Sequence, residues 1–98
     1  MMRLSLDHLQ KSREAILNLA QRHGARNMRL FGSLARGDAT DQSDIDFLVD
    51  MEPGRSLLDL GGMVMDLRDL LGVNVDVVTE KSLRPSMRER VLREARPL

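Results

Sequence analysis

Apolar residues recur at every third or fourth position in three stretches of the chain, which is the spacing of an amphipathic helix. These stretches are residues 6–23, 57–71 and 85–95. Three shorter stretches between them are rich in β-branched or alternating apolar residues, as half-buried strands are. They are residues 27–31, 44–50 and 73–79. The alternation of helices and strands predicts an α/β fold with a small sheet of about three strands flanked by helices.

Residues that usually cap helices stand at the predicted helix ends. Ser5 is a candidate N-cap for the first helix, and Gly24 suits the left-handed conformation that often follows a helix. Ser56 and Asp59 form a capping-box pattern with Asp in place of Glu, and Gly72 is predicted to end the helix that follows them. Pro85 suits the first turn of the last helix. The predicted inner stripe of that helix is Met87, Val91, Leu92 and Ala95.

Gly61 and Gly62 lie in the middle of the second predicted helix. Each glycine lowers the stability of a helix interior by about 1 kcal/mol relative to alanine. Close approach of this helix to the sheet or to a partner would offset the cost, and the sequence does not distinguish the two explanations.

Asp44 and Asp46 stand at alternating positions of the second predicted strand. Successive side chains of a strand point to opposite faces, so the two carboxylates share one face while Ile45, Phe47 and Val49 share the other. Neighbouring carboxylates repel each other unless a cation or a proton lies between them. Because Mg²⁺ is usually held by one or two carboxylates with substrate phosphates and waters, the pair predicts a magnesium site.

Gly32 and Ser33 follow the first predicted strand. A glycine at this position lets a ligand approach the backbone closely, and residues 33–36 can begin a helical turn whose free N–H groups bind an anion. The turn therefore predicts a phosphate site. Arg36 is placed to neutralise phosphate charge, and an ion pair with Asp38 or another acid is an equal alternative.

Asp76 is the one acid in the third predicted strand, where β-branched residues dominate. Aspartate is disfavoured in strands, so its presence needs a reason. One explanation is an ion pair with an arginine. The other is a third carboxylate for the metal site, delivered from a neighbouring strand.

Length and composition restrict the class of function. The 98 residues suffice for one small core, so we expect a single domain over residues 1–98. Fifteen basic residues balance fifteen acidic ones and the only aromatic residues are Phe31 and Phe47, so a nucleic-acid partner is not favoured. The absence of cysteine, of a signal-peptide pattern and of a membrane-spanning apolar stretch predicts a cytoplasmic protein with no membrane partner.

Gly32-Ser33, ten intervening residues and then Asp44-x-Asp46 form a combined pattern. It resembles the signature of the polymerase-β-type nucleotidyltransferases, in particular the minimal nucleotidyltransferase (MNT) proteins. Three shorter runs are similar to the same family: residues 35–37, 43–46 and 75–78. The resemblance covers most of the chain. It implies the polymerase-β-like core, a small mixed β-sheet flanked by helices, and it supports Asp76 as the third carboxylate.

The resemblance also implies an activity, a Mg-dependent nucleotidyltransferase that moves AMP from ATP to a hydroxyl acceptor. Asp44, Asp46 and Asp76 would hold two Mg²⁺ ions, and Gly32, Ser33 and Arg36 would contact the phosphates. Many MNT proteins are antitoxins paired with a HEPN-domain toxin, so the implied acceptor is a tyrosine of a cognate HEPN toxin in a type VII-like toxin–antitoxin pair. The chain contains no tyrosine, which excludes modification of its own tyrosines but leaves its serines and threonines open.

Two further functions fit the same residues. One is a non-catalytic antitoxin that neutralises the toxin by covering it, and the other is a regulator that binds Mg-ATP without transferring anything. The arginines of the last helix also have two readings, as a solvated face or as part of a protein interface. They are Arg84, Arg88, Arg90 and Arg93.

Overall fold

The computed structural model describes residues 6–40 and 44–98. The helices are α1 (Leu6–Lys11), α2 (Arg13–Arg22), α3 (Gly32–Arg36), α4 (Leu57–Leu71) and α5 (Pro85–Glu94), with a 3-10 turn at Glu80–Ser82. The strands are β1 (Ala25–Phe31), β2 (Ile45–Met51), β3 (Val75–Val78) and β4 (Arg96–Pro97). The candidate N-cap Ser5 lies outside the described residues. Within those residues no helix combines the length and apolar character needed to cross a bilayer.

The four strands form one mixed sheet in the order β3-β2-β1-β4. β2 and β3 are parallel, whereas β1 is antiparallel to both β2 and β4. This confirms the predicted α/β fold with a small mixed sheet, and it corrects the expected number of about three strands to four. The additional strand is two residues long and pairs with Arg29 and Leu30. A segment that short has no periodicity from which a strand could be predicted.

Each face of the sheet packs against its own helices. Phe47 and Val49 of β2 belong to the larger core cluster, together with Ile16 of α2 and Met63 and Leu67 of α4. Leu48, between them in sequence, belongs to a second cluster on the opposite face, with Phe31 of β1 and Val91 of α5. The predicted alternation of β2 is therefore confirmed, and it divides the molecule into an α2–α4 layer and an α5 layer.

Two helical predictions are wrong in detail. The helix expected over residues 6–23 is interrupted at Ser12, whose side chain makes no capping hydrogen bond. In α5 only Val91 is fully buried, while Met87 and Leu92 are each 38% exposed. The inner stripe is narrower than predicted because α5 rests on the small second cluster alone.

Local signals at the ends of α4 are confirmed. The Ser56 hydroxyl accepts a hydrogen bond from the Leu58 backbone N–H, and the Asp59 carboxylate accepts one from the Ser56 backbone N–H at 2.9 Å. Gly72 follows the helix with φ of 70°, in the left-handed region that glycine adopts without strain.

The two glycines inside α4 have different surroundings. A Cβ on Gly62 would lie 3.1 Å from Cε1 of His23, whose ring bonds to Asp66 at 2.7 Å across the α2–α4 contact. A Cβ on Gly61 would meet nothing within 4 Å. The close approach considered for this glycine pair exists at Gly62 alone, and it is made by His23 rather than by the sheet.

Gly61→Ala should therefore stabilise the protein by about 1 kcal/mol, because alanine removes the helix-interior cost of glycine without a new contact. Chemical denaturation at neutral pH measures this free energy of unfolding. Gly62→Ala is the matched control and should gain less or lose stability, because its methyl group displaces the His23 ring. Equal stabilisation by both substitutions would contradict the assigned surroundings.

Candidate active site

The C-terminal end of β1 and the N-terminal ends of β2 and β3 lie side by side at one end of the sheet. Phe31 pairs with Asp46 in the antiparallel ladder, so the turn that follows Phe31 starts beside Asp46. Asp46 pairs with Asp76 in the parallel ladder. Residues at the same level of neighbouring strands point to the same face, and here that face is the one covered by α5. The two acids are thus brought together from separate strands.

A cleft of about 370 Å³ opens at this end of the sheet. Six residues were predicted from the sequence to form the site. Five of them line the cleft, namely Gly32, Ser33, Arg36, Asp46 and Asp76. Asp44, the sixth, is an exposed residue immediately before β2 and does not line the cleft. The structure therefore gathers the phosphate-turn residues and two of the three acids into one concave site, with the third acid at its margin.

The position of Gly32 in the cleft leaves no space for a side chain. Its φ of +77° is strained for any residue with a Cβ, and a Cβ built there would overlap with Oδ2 of Asp46. Only glycine allows the backbone of this turn to lie against the Asp46 carboxylate. The same absence of a side chain leaves the turn open to a ligand.

The surroundings of the Asp46 carboxyl disfavour its ionised form. Its pKa rises from 3.8 to about 6, first because the group is half-buried, then because the carboxylates of Asp76 and Asp44 lie near it. Arg36 acts in the opposite direction and is the weakest of the four influences. The carboxylates of Asp46 and Asp76 thus carry negative charge that Arg36 offsets only in part.

The raised pKa of Asp46 predicts that the free energy of unfolding of wild type and of Asp46→Asn will differ in a pH-dependent way when both proteins are treated with a chelator. Between about pH 4 and pH 6 the folded protein keeps a proton on Asp46 that the unfolded chain has released, so stability from this group falls as pH rises. Above pH 6 the variant should be more stable by about 1 kcal/mol, a value that allows for solvent screening of a half-exposed group. Thermal unfolding across this pH range measures the difference, which should vanish near pH 4.

Asp59→Asn provides a control of opposite sign. The pKa of Asp59 is lowered, chiefly by the hydrogen bond from the Ser56 backbone. Its contribution is present above about pH 4 and is lost as pH falls further, so the asparagine variant should be the less stable protein at neutral pH. A stabilising effect of both substitutions at pH 7 would contradict the assignment for Asp46.

The donor set of the cleft suits a hard divalent cation. Among the described residues no three acidic or histidine side chains form a ready-made metal cage. Mg²⁺ does not require one, because it commonly binds one or two carboxylates and completes its octahedron with phosphate oxygens and waters. Asp46 and Asp76, with only partly compensated charge in an open cleft, fit that mode of binding.

Arg36 is already engaged by acids. Its guanidinium donates to Oε1 of Glu94 at 3.0 Å and to Oδ2 of Asp38 at 3.2 Å. The ion pair with Asp38 that the sequence offered as an alternative is therefore present, and a second one joins α3 to α5. Asp76, in contrast, makes no ion pair with any residue in the described ranges, so the arginine explanation for this acid is not supported.

Helix α5 supplies cleft residues that sequence reasoning missed. Met87, Arg90 and Glu94 line the cleft from the side opposite the strands. The available signal was the excess of arginine in a helix of an otherwise neutral chain. Their distance in sequence from the glycine turn gave no indication that α5 closes this site.

The chain is similar in sequence to known proteins of one family. The model of the nucleotidyltransferase domain family matches residues 12–98. A candidate protein adenylyltransferase of Methanocaldococcus jannaschii is 38% identical over 88 residues, which cover 90% of this chain and 95% of the relative. The protein adenylyltransferase MntA of Thermococcus cleftensis is 43% identical over 76 residues, covering 78% and 77% of the two chains.

Solved structures share the fold. A candidate minimal nucleotidyltransferase superimposes with a TM-score of 0.88 at 51% identity, and each chain is covered completely. A toxin–antitoxin structure with AMP-PNP gives a TM-score of 0.73 at 22% identity, covering 86% of this chain and 69% of the other. The toxin–antitoxin MntA-HepT gives 0.67 at 20% identity, covering 89% and 68%. At these lower identities the likeness concerns the fold alone.

Proposed function

The chain belongs to the nucleotidyltransferase domain family, as a minimal nucleotidyltransferase of enzymatic type, and from that premise we propose that it is a protein adenylyltransferase. It transfers AMP from ATP to a hydroxyl group of a partner protein. The observation that carries this proposal is the pairing of Asp46 with Asp76 beside the Gly32 turn in one cleft. The names of the two relatives support a protein as the acceptor.

Each nominated residue has a part in the proposed reaction. Asp44, Asp46 and Asp76 would hold Mg²⁺, and the complete site would take two ions. Gly32 and Ser33 contact the β- and γ-phosphates of ATP, since the turn at Gly32 has room for a ligand only because it lacks a side chain. Arg36 lines the same cleft, and it would contribute positive charge to the phosphates by exchanging its ion pairs with Asp38 and Glu94. A toxin–antitoxin structure of the same fold contains AMP-PNP, which supports a nucleotide as the substrate.

The transfer is an in-line displacement at the α-phosphorus. The acceptor oxygen forms a bond to that phosphorus while the bond to the bridging oxygen of the β-phosphate breaks, and pyrophosphate leaves. The hydroxyl proton passes to Asp76, the acid of the cleft that belongs to the outer strand β3. Bound Mg²⁺ would supply Lewis-acid stabilisation of the negative charge on the phosphates.

The acceptor in this proposal is a tyrosine of a cognate HEPN-domain toxin, and the chain acts as the antitoxin. None of the 98 residues is tyrosine, so the proposed tyrosine acceptor lies outside these residues and, in this proposal, on another molecule. The fold shared with toxin–antitoxin structures, including MntA-HepT, supports a toxin as that molecule. Adenylylation would then silence the toxin by covalent modification.

The test combines the chain, the protein encoded by the adjacent gene, Mg²⁺ and ATP labelled at the α-phosphate. We expect label on a tyrosine of the partner, loss of label with Asp76→Asn, and no label when ATP is labelled at the γ-phosphate. Phosphoryl transfer would reverse the result for the two labelled nucleotides. Inhibition of the toxin without label, retained after simultaneous replacement of Asp44, Asp46 and Asp76 by asparagine, would instead identify a non-catalytic antitoxin.

A further inference from the structure

A second cleft adjoins the candidate active site. Its volume is about 360 Å³, and its lining residues are Ala35, Arg36, Arg90, Arg93, Glu94 and Arg96. Three of these, Arg36, Arg90 and Glu94, also line the first cleft, so the two clefts are adjacent. We refer to this second cleft as the arginine groove.

The groove carries positive charge that the fold leaves uncompensated. It contains four guanidinium groups and one carboxylate, and that carboxylate, Glu94, is taken by Arg36. Arg90, Arg93 and Arg96 make no ion pair with any of residues 6–40 or 44–98. Arg93 in the last turn of α5 suits the negative end of the helix dipole, but this accounts for one of the three. The chain as a whole has zero net charge, so the groove is a local concentration.

We propose that the arginine groove binds an acidic segment of the acceptor protein, close to the hydroxyl residue that enters the active cleft. Guanidinium groups pair with carboxylates in a planar, two-point geometry that favours them as recognition residues for acidic side chains. The shared lining places such a segment within a few residues of the modified hydroxyl. This inference rests on the proposed function, and it adds that the acceptor protein is negatively charged near the modified hydroxyl.

Other anions fit the groove less well. The only aromatic residues of the chain, Phe31 and Phe47, are 9% and 0% exposed, so no phenyl ring is available to stack with the bases of a single-stranded nucleic acid. The triphosphate of ATP is assigned to the Gly32 turn, which does not line the groove. An acidic polypeptide needs neither stacking nor the glycine turn.

Fluorescence anisotropy with the full chain tests the groove directly. The probe is a short fluorescein-labelled peptide with one tyrosine between glutamates, and its matched control carries glutamines instead. We expect the glutamate peptide to bind at least tenfold more tightly at low salt and to lose affinity as salt screens the charges. Equal binding of the two peptides, or tighter binding of a single-stranded RNA of the same charge, would overturn the proposal.

Charge reversal locates the binding site. The double variant Arg93→Glu, Arg96→Glu should weaken glutamate-peptide binding about tenfold or more, whereas Arg68→Glu on the α2–α4 layer should not. Thermal unfolding checks that both variants fold, and Arg93→Gln, Arg96→Gln replaces the reversal if it does not fold. Wild-type affinity in the folded double variant would refute the assignment of the groove.

Transfer kinetics separate this inference from the proposed function. With α-labelled ATP, the double variant should raise the KM for the glutamate peptide about tenfold and leave the KM for ATP unchanged. Transfer that is indifferent to the flanking charges, or an equal rise in the KM for ATP, would overturn the groove alone. Charge-selective binding without transfer to any peptide or to the adjacent-gene product would overturn the proposed function and leave the groove standing.

Discussion

Asp46→Asn should lower AMP transfer about a thousandfold. Asp46 is the acid shared by the β1 and β3 contacts of the site, and its amide cannot bind a divalent cation as a carboxylate does. Electrostatic stabilisation of phosphate charge by such a cation is worth several kcal/mol in the transition state, which corresponds to roughly three orders of magnitude in rate. Single-turnover transfer of label from α-labelled ATP at saturating Mg²⁺ measures this loss.

Asp46→Asn is expected to lose activity but to gain thermal stability, so the two effects can be distinguished. Because the amide relieves the repulsion that raises the pKa of Asp46, the variant should unfold at a higher temperature than wild type at pH 7 without metal. A loss of activity therefore cannot be attributed to unfolding. Asp69→Asn, an exposed position of α4, is the control and should keep wild-type transfer. Retention of more than a tenth of the activity by Asp46→Asn would contradict its proposed role.

Gly32→Ala should lower transfer about a hundredfold and also destabilise the protein by about 1–3 kcal/mol. The added methyl group meets Oδ2 of Asp46, so either the turn or the carboxylate has to move. A displacement of about 1 Å in a reacting group can cost roughly a hundredfold in rate. The backbone contributes separately, since φ of +77° is unfavourable for alanine. Transfer assays and chemical denaturation measure the two effects.

Gly37→Ala separates these two causes. Gly37 ends α3 with φ of +84°, close to that of Gly32, and a Cβ there meets nothing within 4 Å. This variant should show the backbone cost in stability while keeping most of its transfer activity. If both alanine variants lose transfer equally, the contact between Gly32 and Asp46 is not what shapes the cleft.

Local sequence signals predicted much of this molecule because they act over a few residues. The period-two alternation of β2 predicted which side chains share a face, and the two core clusters confirm it. The capping box at Ser56 and the left-handed Gly72 were readable for the same reason. The pattern Gly32-Ser33 with Asp44 and Asp46 predicted three residues of the cleft, Gly32, Ser33 and Asp46, although the chemical roles of these residues stay predictions.

Features that depend on contacts between residues far apart in the chain could not be predicted from the sequence. In β1 the register with β2 shifts between Arg26 and Arg29, at a point where Asn27 has φ of 53° and donates to Asp50. The pairing of Arg36 with Glu94 joins residues 58 positions apart. Neither contact has a signature in the residues that surround it.

By itself the sequence determined the types of element, the faces of β2 and the family pattern, because side-chain periodicity, helix capping and glycine conformation are settled within a few residues. The tertiary structure alone decided that Asp76 stands at the level of Asp46, that a fourth strand completes the sheet, and that α5 closes the cleft and adds the arginine groove. These outcomes depend on strand register and on which surfaces pack together, and both are set by the whole fold.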